Sequence, residues 1–360
     1  MAVIIFIIIL VILVLVHEFG HFTAAKLFGV KVEEFGVGFP PRLLGVKKGE
    51  TMYSVNLLPL GGFVRIFGEE GQGRDDKRSY ASRPAWVRAT ILVAGVALNL
   101  VFAFLLYWVG FTIGYPTVIN EQTKDTHITN THIQILDIGK DSPALRAGLK
   151  QGDVITQVSL PDLSQTKPIV SVSELQVFAR QHRGQTIRLS IERGQTVLNK
   201  DILVRPNPPA DQGPMGIALA EVGLIKFPWY EAFGKAFVAT YTTALSILFG
   251  LALLLKSLLG NGQLISQVSG PVGIATMTGQ FYELGFNYLL GFIAAISVNL
   301  AVINVLPIPA LDGGRLFFIM LEKLKGAPIR RELENKVNVI GFALLLALLV
   351  LVTIKDILQL

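Results

Sequence analysis

The sequence predicts a mostly α, polytopic membrane helix bundle of four spans, with a membrane-associated β-hairpin and an inserted extracytoplasmic α/β domain. Three observations support this. Of 360 residues, 51% are hydrophobic, and the mean hydropathy is +0.55, well above that of soluble domains. Four apolar stretches, 2–24, 90–113, 287–306 and 337–355, each approach the roughly 20 residues needed to cross about 30 Å of hydrocarbon. The long polar stretch 116–230 separates the second from the third.

The first stretch has no charge from Ala2 to Val16, then reads His17-Glu18-Phe19-Gly20-His21. With no basic residue ahead of it and no cleavage signal, it is expected to be a retained helix. Ionisable groups in an apolar span are costly and mark function. Tyr53–Phe67, around Gly61-Gly62, alternates moderately and predicts a β-hairpin or loop at the membrane interface. Backbone of that kind is tolerated there only when it packs on protein or lines a wet cavity. A hairpin beside the ionisable residues of the first helix would be placed to clamp an unwound chain by edge pairing; the alternative is a surface hairpin that only packs on the bundle.

Within 116–230, His132–Ile138 and Val154–Val158 alternate as strands, and Ser142-Pro143 opens a short helix. Residues 172–182 suit a second helix, and Thr186–Glu192 pairs with Val197–Val204 around Arg193-Gly194-Gln195. The expected organisation is 1–115 membrane core, 116–224 inserted domain, 225–286 interfacial or re-entrant helical region, and 287–360 membrane core.

Charge sets the orientation. Residues 25–88 carry 11 Lys/Arg against 7 Asp/Glu, and 312–336 carry 6 Lys/Arg. Both segments are therefore expected on the cytoplasmic side, with both termini and 116–224 outside. The net charge of +6 is not gathered into a basic patch with aromatics, which excludes a nucleic-acid partner. The absence of cysteine excludes disulfides, thiol nucleophiles and Cys-ligated zinc.

His17 and His21 lie four apart on a helix, face one way and suit one zinc ion, with Glu18 placed to take a proton from the attacking water. A catalytic zinc needs a third protein ligand. The best intramembrane candidate is Asp312. Pro307 and Pro309 stop regular winding before it, and Gly313 permits an unusual turn. At 1.5 Å per residue, His17 and His21 lie about 25–30 Å along the first helix. Asp312 lies about as far along the helix that begins near Asn287, so the two helices must run in the same direction. The apolar stretch 237–255 is therefore expected not to span, because one more crossing would carry Asp312 to the far face.

These residues resemble the site-2 protease family, and most closely its bacterial RseP-type intramembrane zinc metalloproteases of peptidase family M50. The likeness rests on HEFGH, NLLPLGGFVRIFGE (56–69), SGPVGI (269–274) and NVLPIPALDGG (304–314). The run DSPALRAGLKQGDVI (141–155) resembles PDZ domains, which bind peptides by strand addition, and Gly213–Ile217 would be the groove-side strand and loop of a permuted variant. The resemblance implies zinc bound by His17, His21 and Asp312, Glu18 as general base, and Asn304 steadying the substrate backbone or oxyanion. It implies a multi-pass protein of the bacterial inner membrane, with the active site near the cytoplasmic face. The expected reaction is cleavage of a single-pass membrane protein within its membrane segment, such as an anti-sigma factor or signal-peptide remnant. The PDZ-like module would act as a size filter or bind a new C-terminus. The best-studied proteobacterial members carry two PDZ domains in tandem; one is read here.

Blander readings stand beside these. The histidines and Glu18 could form a metal-free interhelical network, Asp312 could cap a helix or pair with Arg315, and Asn304 could bond a neighbouring helix. Asn99 and Asn299 read as structural glue, Glu69 and Glu70 as solvated loop charges, and His127, His132 and His182 as ordinary domain histidines. The PDZ-like stretch could be a β-rich domain that binds no peptide. Rival functions are an intramembrane metal transporter and an inactive PDZ-bearing scaffold. Since a substrate helix hides its carbonyls, leucines placed around the cut site should slow cleavage by stiffening it. Gel-resolved cleavage of such substrates measures this, and an unchanged rate would count against local unwinding.

Overall fold

The computed structural model describes residues 1–119, 128–161, 166–194, 196–209, 212–260, 268–327 and 329–358. His127 and Gln195 lie outside these. Two compact units emerge: Met1–Tyr107, Ala236–Gly279 and Phe292–Leu360 form one, and Trp108–Lys235 with Gln280–Gly291 the other.

In the first unit, α1 (Ala2–Leu27) is built largely from Ile, Val and Leu. β-branched residues are indifferent helix formers in water, but in lipid only a helix satisfies every backbone group of a single segment. α2 (Ala85–Ile113) contributes most of its length, as does α7 (Phe286–Val305). α8 (Asp312–Lys325) and α9 (Arg331–Leu358) follow. α8 is amphipathic and polarised: Asp312 begins it and Lys323 and Lys325 end it, matching the helix dipole, and Gly326 caps it in the left-handed region.

Five helices among the described residues are long and apolar enough to cross a membrane. Four are the expected spans. The fifth is α5 (Trp229–Leu259), 31 residues that extend the stretch 237–255 well beyond its predicted ends. Length and hydropathy alone do not separate α5 from the other four.

α6 (Pro271–Leu284) contains most of the SGPVGI motif, and its neighbours locate it. The backbone N–H of Gly273 donates to Asp356 Oδ2 at 2.7 Å, and Lys355 Nζ donates to the carbonyl of Val268 at 2.6 Å. Gly279 abuts Ala2. The chain thus starts level with the beginning of α1 at Gly279 and meets α1 again where Asp312 reaches His17. Over this distance α1 and α7 run in the same direction.

The β-structure beside α1 differs from the predicted hairpin. Its turn is at Gly49-Glu50, between β1 (Val32–Lys48) and β2 (Thr51–Ile66). Gly61-Gly62 instead marks where β2 changes sides. Phe35 pairs with both Tyr53 and Val64, and Gly36 with both Ser54 and Phe63. The ribbons therefore lie in the order 62–66, 32–37, 51–58, 42–48. Buried Glu34 ties three of them, accepting from Ser54 Oγ at 2.7 Å and Arg42 Nη2 at 2.8 Å.

The second unit holds β3 (Tyr115–Val118), β4 (Ile128–Ile138), α3 (Pro143–Arg146), β5 (Val154–Ser159), β6 (Lys167–Pro168) and α4 (Val172–Gln181). β7 (Thr186–Arg193), β8 (Thr196–Leu203) and β9 (Ile217–Ile225) complete it. The antiparallel order is β3-β9-β4-β5-β7-β8, with β6 on β5. Ile133, Ile135, Ile155, Leu175, Ile187, Leu189, Ile191 and Ile202 form its core. Ser142 Oγ caps α3, accepting from Leu145 N at 3.0 Å.

Asp153, 1% exposed, accepts a two-pronged bond from Arg193 at 2.7 and 2.8 Å and a third from the N–H of Lys150 at 2.8 Å. Removing the carboxylate strands a cation and a backbone donor. Asp153→Ala should destabilise this unit by about 3 kcal/mol, read as faster amide exchange in β5 and β7 with α1 and α2 unchanged.

Candidate metal centre

Three side chains converge from distant parts of the sequence. His17 Nε2 stands 2.9 Å from Asp312 Oδ2, across 295 residues of sequence, and His21 Nε2 stands 3.1 Å from the same oxygen. The two Nε2 atoms are 3.1 Å apart, with the rings nearly perpendicular at 89°. His17 and His21 are buried, and Asp312 is half-buried. The three donor atoms form a nearly equilateral triangle. A tetrahedral zinc with bonds of about 2.0–2.1 Å spaces neighbouring donors by about 3.3 Å, so this set fits the ion.

The loop before Asp312 explains its placement. α7 stops at Val305, and Pro307 and Pro309 offer no N–H to continue it. Ala310 follows in the left-handed region, φ 71°, its N–H donating to Asn338 Oδ1 of α9 at 3.1 Å. Gly313 then passes so close beneath α7 that a Cβ on it would lie 2.0 Å from the carbonyl oxygen of Leu306. No side chain fits there. Asp312 thus opens a new helix directly under the end of the old one.

Glu18 sits between the two histidines in sequence and accepts from the backbone N–H of Val64 at 3.0 Å. That donor belongs to ribbon 62–66, the outer edge of the sheet. Glu18, His21, Asp312, Phe63, Val64 and Leu92 line a cavity of about 220 Å³. Arg315 forms an ion pair with Glu69, not with Asp312. Glu69, Arg315 and Tyr80 also border a larger, polar cavity of about 400 Å³ that includes Arg88 and Glu322. Glu69 is therefore a wall of the site and not a solvated loop charge. Burial pushes the Tyr80 phenol up, leaving it a neutral donor toward the carbonyl of Arg88 at 3.4 Å.

Asn304 lies half-buried one residue before the end of α7, and among the described residues its side chain has no hydrogen-bond partner. Asn99, read as structural glue, instead reaches the centre: its amide nitrogen is 3.4 Å from His17 Nδ1. Ile91 carries no signal in the sequence, because its contribution is a carbonyl, which accepts from His21 Nδ1–H at 2.8 Å. His132 and His182 bond backbone carbonyls nearby and take no part.

Two helical histidines with a carboxylate between them, and a distant aspartate closing the triangle in a bundle of apolar helices, define a membrane-embedded metallohydrolase centre. The chain matches the profile of Peptidase family M50 over residues 5–348. A Clostridium perfringens protein is 34% identical over 349 residues, spanning 96% of this chain and 95% of its own length. The regulator of sigma-W protease RasP of Bacillus subtilis is 30% identical over 443 positions, covering 99% and 98%. The regulator of sigma-E protease RseP of Escherichia coli is 28% identical over 444 positions, covering 98% and 97%. The chain belongs to peptidase family M50 and is a zinc metalloendopeptidase, which argues against a transporter or an inactive scaffold.

The Val64 N–H faces Glu18 and not a neighbouring strand, so proline there removes this donor without breaking a ladder bond. Val64→Pro should lower proteolysis at least tenfold while zinc content, measured by atomic absorption, stays at the native value.

Proposed function

We propose that this protein cuts single-pass membrane proteins within their membrane segments, at a zinc held by His17, His21 and Asp312. The observation that carries the reading is the triangle of donors at 2.9–3.1 Å with Glu18 alongside. Zinc, when bound, polarises the scissile carbonyl and lowers the pKa of the attacking water to about 7.

Glu18 takes the water's proton and returns it to the leaving amine, its carboxylate aimed by the Val64 N–H. Asn304, whose carboxamide has no hydrogen-bond partner among the described residues, bonds the substrate backbone or the developing oxyanion. Pro307, Pro309 and Gly313 hold Asp312 at the level of the imidazoles. Ribbon 62–66 receives the unwound substrate as an added strand.

The topology we propose has four spans: α1 and α7 running inward, α2 and α9 running outward, both termini outside and the centre near the cytoplasmic face. The shared direction of α1 and α7 supports it, as does the basic character of 25–88 and 312–336. α5 then belongs to an interfacial or re-entrant region, 225–286. Residues 116–224 form a PDZ-like domain outside the membrane. Among the described residues β3 pairs only with Val222–Ile225 of β9, and the edge at Ile217–Ala220, near α4, is the place we assign to a peptide or a new C-terminus. The sigma-factor regulators among the relatives favour an anti-sigma factor as substrate, ahead of a signal-peptide remnant.

The test is to reconstitute the full chain with single-pass substrates, with and without chelator. Glu18→Gln should lose at least about 100-fold in cleavage and keep one zinc. His17→Ala and Asp312→Ala should lose the metal. Native-rate cleavage by Glu18→Gln, or native zinc affinity in Asp312→Ala, would sink the reading.

A further inference from the structure

α2 presents Ile91, Gly95 and Asn99 at intervals of four, hence on one helical face, and that face lies against the two imidazoles. A Cβ on Gly95 would stand 2.5 Å from His21 Nε2 and 2.9 Å from His17 Cε1, so glycine alone lets the rings seat there. On one side of it, the Ile91 carbonyl receives the Nδ1–H of His21. On the other, Asn99 is fully buried, with its amide nitrogen 3.4 Å from His17 Nδ1. Its backbone carbonyl accepts from Ser297 Oγ at 2.8 Å, which pins this turn of α2 to α7. Among the described residues the carboxamide oxygen of Asn99, which is buried, has no partner.

These contacts conflict with a ligating His17. An imidazole that offers the Nε2 lone pair to a metal carries its proton on Nδ1. Nδ1–H and an amide NH2 are both donors and repel. Turning the carboxamide by 180° exchanges its oxygen and nitrogen and moves nothing else. The oxygen then accepts from Nδ1–H and the donor clash is gone, while the amide nitrogen takes the buried place the oxygen held. In the opposite arrangement the amide donates to a bare Nδ1. The ring proton then points from Nε2 at Asp312 and His21, and His17 has no lone pair to give.

We infer that Asn99 is a positioning residue for the metal centre: its Oδ1 accepts from His17 Nδ1–H and fixes the tautomer in which Nε2 binds zinc. α2 thereby supplies the outer partner of both histidines, a main-chain carbonyl for one and a side chain for the other. Only the second can be altered by substitution. The inference rests on the reading that His17, His21 and Asp312 hold zinc.

The experiment uses the full chain in detergent, with zinc affinity measured by competition against a chromophoric chelator. Asn99→Leu, which can neither accept nor donate, should weaken zinc binding about 10–100-fold. Asn99→Asp, which as a carboxylate can only accept, should bind within a few-fold of native or more tightly. The cobalt-substituted chain should keep its native visible spectrum in Asn99→Asp. Zinc loss in Asn99→Asp as deep as in Asn99→Leu, or native affinity in Asn99→Leu, would overturn the assignment. Asn99→Asp decides alone if Asn99→Leu does not fold. His17→Ala is the separate control: native affinity there would sink the metal reading and this inference with it, whereas zinc loss there beside native affinity in Asn99→Leu would sink the role of Asn99 alone.

Discussion

Two imidazoles and a carboxylate held within about 3 Å of one another, among helices built for lipid, are the constraint the rest of this structure serves. Ionisable groups in such surroundings lose the hydration that an exposed site would retain, so they persist only when they satisfy one another or a shared ion. The convergence dictates direction as well as contact. α1 and α7 must descend together, because otherwise residues 295 apart in the chain would end on opposite faces of the bilayer. It also dictates what stands behind the ligands. α2 has to approach α1 closely enough for Gly95 to touch both rings, and only then do Ile91 and Asn99 come within reach of the Nδ1 atoms.

The third ligand illustrates how a broken helix is made rigid. Two prolines alone would leave a floppy exit from α7. Here the exit is fixed from α9, where Asn338 accepts the N–H of a left-handed Ala310. A non-glycine residue in that region costs on the order of 1 kcal/mol, which the surrounding contacts must offset. Pro309 packs against Gly341 of the same helix. The last helix is therefore part of the site's frame, although it contributes no ligand.

Much of this was legible from residues alone. The spacing of His17 and His21 needs only helical periodicity, and Asp312 needed a proline-broken helix and a depth count. Four strands of the second unit, β4, β5, β7 and β8, follow from alternation, whereas β3, β6 and β9 do not, and β9 begins only where the expected strand and loop at 213–217 ends; Ser142-Pro143 marks the helix start. The groups that escaped notice are mostly backbone: the Val64 N–H on Glu18 and the Ile91 carbonyl on His21 have no letter in the sequence. Pro40-Pro41 and scattered charges hide the alternation of β1, so the sequence points to a turn at Gly61-Gly62 where the structure has it at Gly49-Glu50. Glu69 looked like a loop charge because its partner, Arg315, lies 246 residues away. Asn99 looked like glue because nothing local ties it to His17.

A sheet beside a metal centre in a helix bundle calls for a physical reason. A transmembrane substrate enters as a helix, with each carbonyl already bonded four residues on, and in lipid it cannot release those bonds without finding replacements. A sheet edge supplies them as a row, where scattered side chains would supply them one at a time. Here the middle of the edge ribbon 62–66 makes the carboxylate's own hydrogen bond, from Val64 to Glu18, so the same backbone that would receive an unwound strand also aims the proton acceptor. On the proposed strand addition, substrate unwinding and water activation would be tied to one short stretch of chain. A rigid helix that failed to add to that edge would also fail to bring its carbonyl to the metal.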